Sequence, residues 1–396
     1  PPPMTTSASL PRSAIPIVIA TVFIDVIGFG MVLPLLPSYA ARLGGTPGNI
    51  GLLVASYSAI QFVLAPLWGR VSDRIGRRPV LLIGLAGSVA SYLVFAFANS
   101  LPLLLLSRVL DGGSGATVNV AQAYLADETT PEQRTKAMGM VGAAFGLGFI
   151  VGPILGGITA AIGNTLPGII AAIITAINLI MAWRVLPESI PAAVAANAPA
   201  ARTPWRALAA PVAVLFLATL AFSVMYVVFP LFGELRFKAS RSVVSYWFAY
   251  VGLATAIVQG GLLGRLVTRL GEVGVARLGA GVMAVGFLLI PPAGAVGAPG
   301  PLFYTALALL GAGFGMAGPA MIGLASRRAA ATVQGRTLGV TQSASSLARI
   351  IGPIVAGAVM QAASAEGAFR LSAAMAAGAL LLAATLFPRE RQTATP

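Results

Sequence analysis

Three ionisable residues sit where so apolar a chain tolerates them least. Asp25, Arg108 and Asp111 fall inside long apolar stretches of a sequence that is 57% hydrophobic and only 9% charged. Charge deep in a bilayer is costly and usually marks an ion or proton pathway. Asp25 lies about ten residues into the first stretch, roughly 15 Å at 1.5 Å per residue, close to the bilayer midplane. A carboxyl there can bind and release a proton as its access to water changes, or it can be held by a fixed hydrogen bond to a neighbouring helix. Arg108 and Asp111 are three apart, hence on one helical face and able to pair. Asp111 then either joins Arg108 in moving protons or simply neutralises it. Arg349 is a further charge near midplane, with no acid deep in any later span. It needs backbone carbonyls, Asp25 across a cavity, or an anionic group of a substrate.

A second concentration of charge has another character. Gly69-Arg70-x-x-Asp73-Arg74-x-Gly76-Arg77-Arg78 packs five charges into ten positions. As a topology anchor, arginines hold such a loop on the cytoplasmic side and glycine keeps it tight. Asp73 dilutes that signal. As a latch, its carboxylate would cap the N-terminus of a neighbouring helix, such as the one beginning near Arg336.

The elements that must position these residues follow from hydropathy. With 396 residues and a mean hydropathy of +0.90, the chain reads as an all-α integral membrane protein. Twelve apolar spans are expected, at about 15–40, 50–68, 79–98, 101–125, 137–161, 166–186, 209–232, 243–264, 274–295, 300–325, 337–360 and 366–387. The first is too long for a signal-peptide core and carries Asp25 in its middle. With the N-terminus inside, 18 of the 25 Lys/Arg fall in cytoplasmic segments and five, Arg42, Arg236, Lys238, Arg241 and Arg370, in external loops. Both termini are therefore expected to be cytoplasmic, in a cell (inner) membrane. The net charge of +14 is spread over short loops rather than along one stripe, so no nucleic-acid partner is expected.

The segment 187–208 is rich in Pro and Ala and reads as a cytoplasmic linker between six-helix bundles at 1–186 and 209–396. Internal echoes support a duplication. Gly69-Arg70-x-x-x-Arg74-x-Gly76 returns 195 residues later as Gly264-Arg265-x-x-x-Arg269-x-Gly271, and Gly152-Pro153-Ile154 returns 200 residues later as Gly352-Pro353-Ile354. A duplicated membrane bundle points to a transporter with its site between the halves.

Three motifs carry a family resemblance. Gly69-x-x-x-Asp73-Arg74-x-Gly76-Arg77-Arg78 resembles the loop 2–3 signature of the major facilitator superfamily. Gly148-x-x-x-Gly152-Pro153-x-x-Gly156-Gly157 and Asp25-x-x-Gly28-x-Gly30-x-x-x-Pro34-x-x-Pro37 are similar to its twelve-helix drug/proton antiporters, tetracycline exporters above all. The resemblance implies a fold of two six-helix bundles and a latch of Asp73, Arg77, Asp127 and the segment after Gly335. It also links Arg108 to proton coupling. Independently, Gly148, Gly152 and Gly156 recur every four residues and let another backbone approach, while Pro153 permits a bend. Ordinary tight packing and a hinge that seals the cavity both fit that face.

Tyr57, Gln61, Asn119, Gln122, Tyr226, Phe229, Trp247, Gln342 and Arg349 are candidates to line an amphiphilic cavity, although aromatics in such helices also serve as packing. The expected function is proton-coupled export of hydrophobic or amphiphilic drugs, tetracycline or a multidrug range, by a monomer with protons and the lipid bilayer as its other partners. The alternative is a proton symporter or facilitator of a sugar or metabolite on the same fold. Neither histidine nor cysteine is present, and no cofactor, metal or catalytic constellation is expected. Neither lysine, Lys136 nor Lys238, follows a glycine, so no Walker A motif exists. Gly313-x-Gly315-x-x-Gly318 matches a dinucleotide motif only formally, within an apolar span. The tetracycline exporters typically carry an acid in helix nine and a histidine in helix eight. This chain has neither, so a broader hydrophobic or multidrug range is expected as much as tetracycline itself.

Overall fold

The computed structural model describes residues 14–115, 117–129, 131–188, 205–295, 297–328 and 334–387, and among these it contains helices and turns but no strand. The first group of helices is α1 (Ala14–Val32), α2 (Leu36–Arg42), α3 (Pro47–Ile75), α4 (Arg77–Ala96), α5 (Leu101–Ser114), α6 (Thr117–Glu128), α7 (Pro131–Ile162) and α8 (Leu166–Val185). The second group is α9 (Trp205–Ser223), α10 (Met225–Phe237), α11 (Arg241–Ile257), a π-helical turn (Val258–Leu262), α12 (Leu263–Ala295), α13 (Pro301–Arg328), α14 (Gln334–Ala362) and α15 (Ala365–Leu386).

Ten described stretches are long and apolar enough to cross a membrane. One of them, Arg241–Ala295, has 55 residues, about 80 Å of helix at 1.5 Å per residue. That is two crossings, bent back at Gly271. Another crossing is interrupted and is made by α5 and α6 together. Each of the twelve stretches expected from hydropathy thus holds helix. Large apolar side chains face outward along single helix faces, as Ile173, Ile177 and Ile180 do on α8 at 48%, 60% and 51% exposure. Such a face is at home only in lipid.

The boundaries differ from expectation for local reasons. The fourth span is not one helix, because Gly112, Gly113 and Gly115 loosen it where the backbone of α3 comes closest: a Cβ on Gly112 would meet the main chain of Tyr57. The carbonyls freed by the break are satisfied from α3. Trp68 Nε1 donates to the Gly113 carbonyl at 2.7 Å, and Gln61 Nε2 to that of Gly115 at 2.9 Å. A break at membrane depth requires such partners. The charged loop at 69–78 is also mostly helix. Residues 69–75 end α3, Gly76 alone makes the turn, and Arg77 opens α4.

The duplication is visible in the backbone. Gly76 has φ 99° and ψ 162°, and its counterpart Gly271 has φ 67° and ψ 168°. Only glycine adopts this region cheaply, so the two copies make one kind of turn. Between the groups, α3 packs on α14 and α7 packs on α11, two contacts that the repeat interchanges. Both turns lie at one end of the molecule, the basic end. Toward the far end the groups are joined closely. Ser38 Oγ donates to Glu234 Oε1 at 2.5 Å, Gly48 N donates to Gln361 Oε1 at 3.0 Å, and the Arg241 guanidinium lies 5.1 Å from the centre of the Tyr39 ring. Toward the basic end Gly69, Gly142, Gly146, Gly260 and Gly264 each face open space.

Candidate functional site

The intramembrane charges of the first group gather around the α5 helix. Arg108 Nη1 donates to Asp111 Oδ2 at 3.1 Å, with both side chains 5% exposed or less. The guanidinium also sits 5.7 Å from the centre of the Phe95 ring, and its Nη2 is buried without a partner. Asp25 on α1 and the phenols of Tyr57 and Tyr92 lie within electrostatic range of Asp111. Among the described residues no cation pairs with Asp25. Asp25 and Tyr57 are enclosed by helices, yet part of each side chain stays accessible, as for groups on the wall of an internal cavity. Chemically this is a carboxyl without an ion-pair partner among the described residues, beside an ion pair that neutralises itself.

A cavity of about 280 Å³ lies between the two groups of helices. Its wall is aromatic: Phe145 and Phe149 of α7, Phe222 of α9, Tyr226 of α10, Phe248 of α11 and Phe314 of α13. Phe222 and Phe314 stack at 4.0 Å between centroids, and Tyr226 meets Phe222 edge-on at 5.9 Å. Gln259, in the π-helical turn, is a polar group on the same wall. Arg349 of α14 lies near the phenols of Tyr226 and Tyr57 and donates to Ser346 Oγ at 3.2 Å.

Of the residues expected to line a cavity, Tyr226 does so. Phe229 and Trp247 do not. They are 0% and 3% exposed and pack with Phe303 in an aromatic core, Phe229 stacked on it and Trp247 edge-on at 4.7 Å. Gln61 supports the α5–α6 break and also donates to Tyr57 Oη at 3.3 Å. Asn119 and Gln122 on α6 are half-buried, and Gln342 on α14 is exposed. Neither these three nor Tyr57 is on the wall of this cavity. The phenylalanines that form the wall were missed, because in a helix apolar all round no periodicity separates a cavity face from a packing face.

The glycine face of α7 is pressed onto α1. A Cβ at Gly152 would stand 2.7 Å from the Ile27 carbonyl, one at Gly156 2.6 Å from that of Met31, and one at Gly148 2.7 Å from Val26 Cγ1. Pro153 Cδ lies 3.2 Å from where a Cβ on Gly30 would be. Gly157 turns the other way, toward Tyr246 and the Ser242 carbonyl of α11 in the second group. One short run therefore seals a contact within its own group and a contact between groups.

At the basic end Arg77 is the hub. It is 8% exposed and reaches Asp73 Oδ1 at 2.6 Å and Asp127 Oδ2 at 2.9 Å, and it donates to Ser72 Oγ at 2.6 Å. Asp73 is 53% exposed and Arg74 is exposed. The side chains of residues 334–336, where a cap on the start of α14 would form, lie outside the described residues, as do those of Arg134 and Lys136. Glu188, which sequence reasoning passed over, accepts from the Arg78 backbone N at 3.2 Å, and its carboxylate lies against Gly76, where any added side chain would have to displace it.

The chain is similar to known proteins in sequence and in fold. The profile of the Major Facilitator Superfamily matches residues 18–353. The tetracycline resistance protein, class C, of Escherichia coli is 32% identical over 363 residues, covering 89% of this chain and 90% of that one. The class D protein of Salmonella ordonez is 36% identical over 355 residues, covering 86% and 88%. The crystal structure of the human organic anion transporter MFSD10 (TETRAN) superposes with a TM-score of 0.71 at 26% identity, covering 93% of this chain and 98% of that one.

Proposed function

The chain belongs to the major facilitator superfamily, and from that membership we propose that it is a proton-coupled antiporter exporting hydrophobic or amphiphilic drugs. Membership makes it a multi-pass membrane transporter of small molecules rather than an enzyme. The observation that carries the finer assignment is an aromatic cavity between the two groups of helices, near a mid-membrane carboxyl, Asp25, that no cation neutralises among the described residues. Relatives that are tetracycline resistance proteins support drugs as the substrate class.

In this mechanism residues 1–186 and 209–396 are two bundles joined by a cytoplasmic linker, with both termini inside the cell membrane. The close far end and the splayed basic end then correspond to a carrier open to the cytoplasm. A drug enters between the aromatic walls, and the carrier turns outward. An outside proton neutralises Asp25 and lowers affinity for the drug, which leaves. Return to the inward state and loss of the proton inside reset the site. Drug and proton thus bind with opposite effect on one equilibrium, a negative coupling between two sites. Arg108 and Asp111 set the field that Asp25 experiences, and the α1–α7 contact keeps the cavity from leaking. The functional unit is a monomer.

Everted membrane vesicles carrying the protein and a preset pH gradient test this. Tetracycline or another amphiphilic drug is expected to collapse the gradient in a protein-dependent way. Substrate-driven proton entry in the same direction as the substrate would instead identify a symporter.

A further inference from the structure

Arg349 lies near the middle of α14, 15 residues from Gln334 and 13 from Ala362, roughly 20 Å from either end at 1.5 Å per residue. It forms no ion pair among the described residues. Every described acid of the second group is engaged elsewhere: Glu234 with Ser38, Glu272 with Arg327, and Glu366 with Arg236. In the first group Asp111 holds Arg108, while Asp73 and Asp127 hold Arg77. The titratable groups that act most on Arg349 are the phenols of Tyr226 and Tyr57. The guanidinium is enclosed by helices and yet part of its surface remains accessible; it is not itself on the wall of the cavity of about 280 Å³, but lies within electrostatic range of Tyr226, which is. A cation at this depth is costly unless carbonyls, water or an anionic group meet it, and an accessible one without an ion pair is open to an anionic ligand.

We propose, on the basis of the exporter assignment above, that Arg349 is the anion-binding residue of the cavity and that its substrates carry a carboxylate or similarly acidic group on an aromatic body. A guanidinium presents a planar fork that pairs two-pronged with a carboxylate. The stacked Phe222 and Phe314 beside Tyr226 offer flat surfaces for the body of the molecule. The proton site at Asp25 and the anion site at Arg349 then stand on opposite groups of helices. Proton and substrate do not contest one side chain, and their coupling passes through the alternation of the carrier.

Rhodamine 110 and rhodamine 123 share one xanthene and differ in a free carboxyl against its methyl ester. Binding of each to the full chain in lipid nanodiscs, read by fluorescence anisotropy, tests the anion site. Their movement under a pH gradient in proteoliposomes tests export separately. The wild type is expected to bind rhodamine 110 about tenfold tighter or more. Arg349→Gln is expected to weaken rhodamine 110 by about tenfold to a hundredfold, the range for a hydrogen bond to a charged group, and to leave rhodamine 123 unchanged. Arg349→Lys keeps the charge but loses the fork, so it retains part of the preference. Should Arg349→Gln fail to insert, Arg349→Lys must still weaken rhodamine 110 selectively. Equal affinity of the wild type for both dyes, or equal loss of both in the variants, overturns the anion site. A preference for rhodamine 110 without gradient-driven movement of either dye upholds the anion site and overturns the exporter assignment.

Discussion

Arg327, at the end of α13, bonds Glu272 just beyond the turn at Gly271. Asp127, near the end of α6, bonds Arg77 just beyond the turn at Gly76. Glu272 follows Arg77 by 195 residues and Arg327 follows Asp127 by 200, so these are the same two places in the two copies with the charges exchanged. The duplication has kept a bond between the turn and the neighbouring helix end, and has let its polarity reverse.

That reversal predicts a double-mutant cycle. Glu272→Ala is expected to cost about 1 kcal/mol, because Arg327 is 62% exposed and solvent screens it. Arg77→Ala is expected to cost more, about 3 kcal/mol, because it leaves two carboxylates without their shared buried cation. Glu272→Arg alone sets two cations together, Arg327→Glu alone sets two acids together, and the two combined are expected to recover most of the loss. Thermal unfolding in detergent measures all five. Additive losses in the double exchange would mean that the pair contributes nothing as a pair.

Asp25→Asn is expected to abolish uphill export while the protein still inserts and binds drug, since the amide keeps the shape but exchanges no proton. Arg108→Ala is expected to impair coupling by leaving Asp111 unpaired in the membrane. Arg370→Ala, at an exposed position, is expected to be nearly silent. Proton/drug exchange in proteoliposomes decides, and wild-type rates for Asp25→Asn would remove that residue from the proton path.

Orientation is testable because the chain has no cysteine. Ser72 is a poor labelling site, being fully buried and bonded by Arg77, but its neighbour Ile75 is 52% exposed. Ile75→Cys is expected to react only with membrane-permeant reagents in intact cells. Lys238→Cys, exposed at the far end, is expected to react with impermeant ones. The opposite pattern inverts the topology.

Much of this was legible in the sequence because membranes enforce strong patterns. Spans must be long and apolar, so hydropathy alone located the ten described stretches that are long and apolar enough to cross a membrane. A glycine needed for a positive φ cannot drift, so Gly76 and Gly271 exposed the repeat before any backbone was known. Gly148, Gly152 and Gly156 announced a close approach by their spacing, and the partner, α1, came only from the structure. The cavity wall was far less legible. Phe229 and Phe222 are both phenylalanines of the same span, one in the core and one on the wall, and only the packing of α13 and α11 against them decides which. Partners across the chain, such as Glu272 with Arg327, left no local signal. Each residue reads alone as a solvated charge at a span end.

Asp73 and Thr268 occupy equivalent places in the two turns, and their surroundings predict opposite sensitivities. Thr268 spends its hydroxyl on the Arg265 carbonyl of its own helix at 2.8 Å, so Thr268→Ala removes only a local bond. Asp73 accepts from Arg77 at 2.6 Å with half its side chain exposed, leaving it free to meet a second group when the basic end closes. In Asp73→Asn, Arg77 keeps Asp127 and Ser72, so folding and abundance are expected to be near normal. If the carboxylate caps the start of α14 in the closed state, its loss removes about 0.3–2 kcal/mol from that state. This moves the access equilibrium by about twofold to thirtyfold. Export is therefore expected to slow sharply in Asp73→Asn through depletion of the outward-open state, and to change little in Thr268→Ala. Drug export and outside labelling of a cysteine placed on the cavity wall report both effects. Equal, near-normal behaviour of the two variants would leave the turn as a basic anchor alone, since added positive charge at residue 73 strengthens an inside signal rather than weakening it.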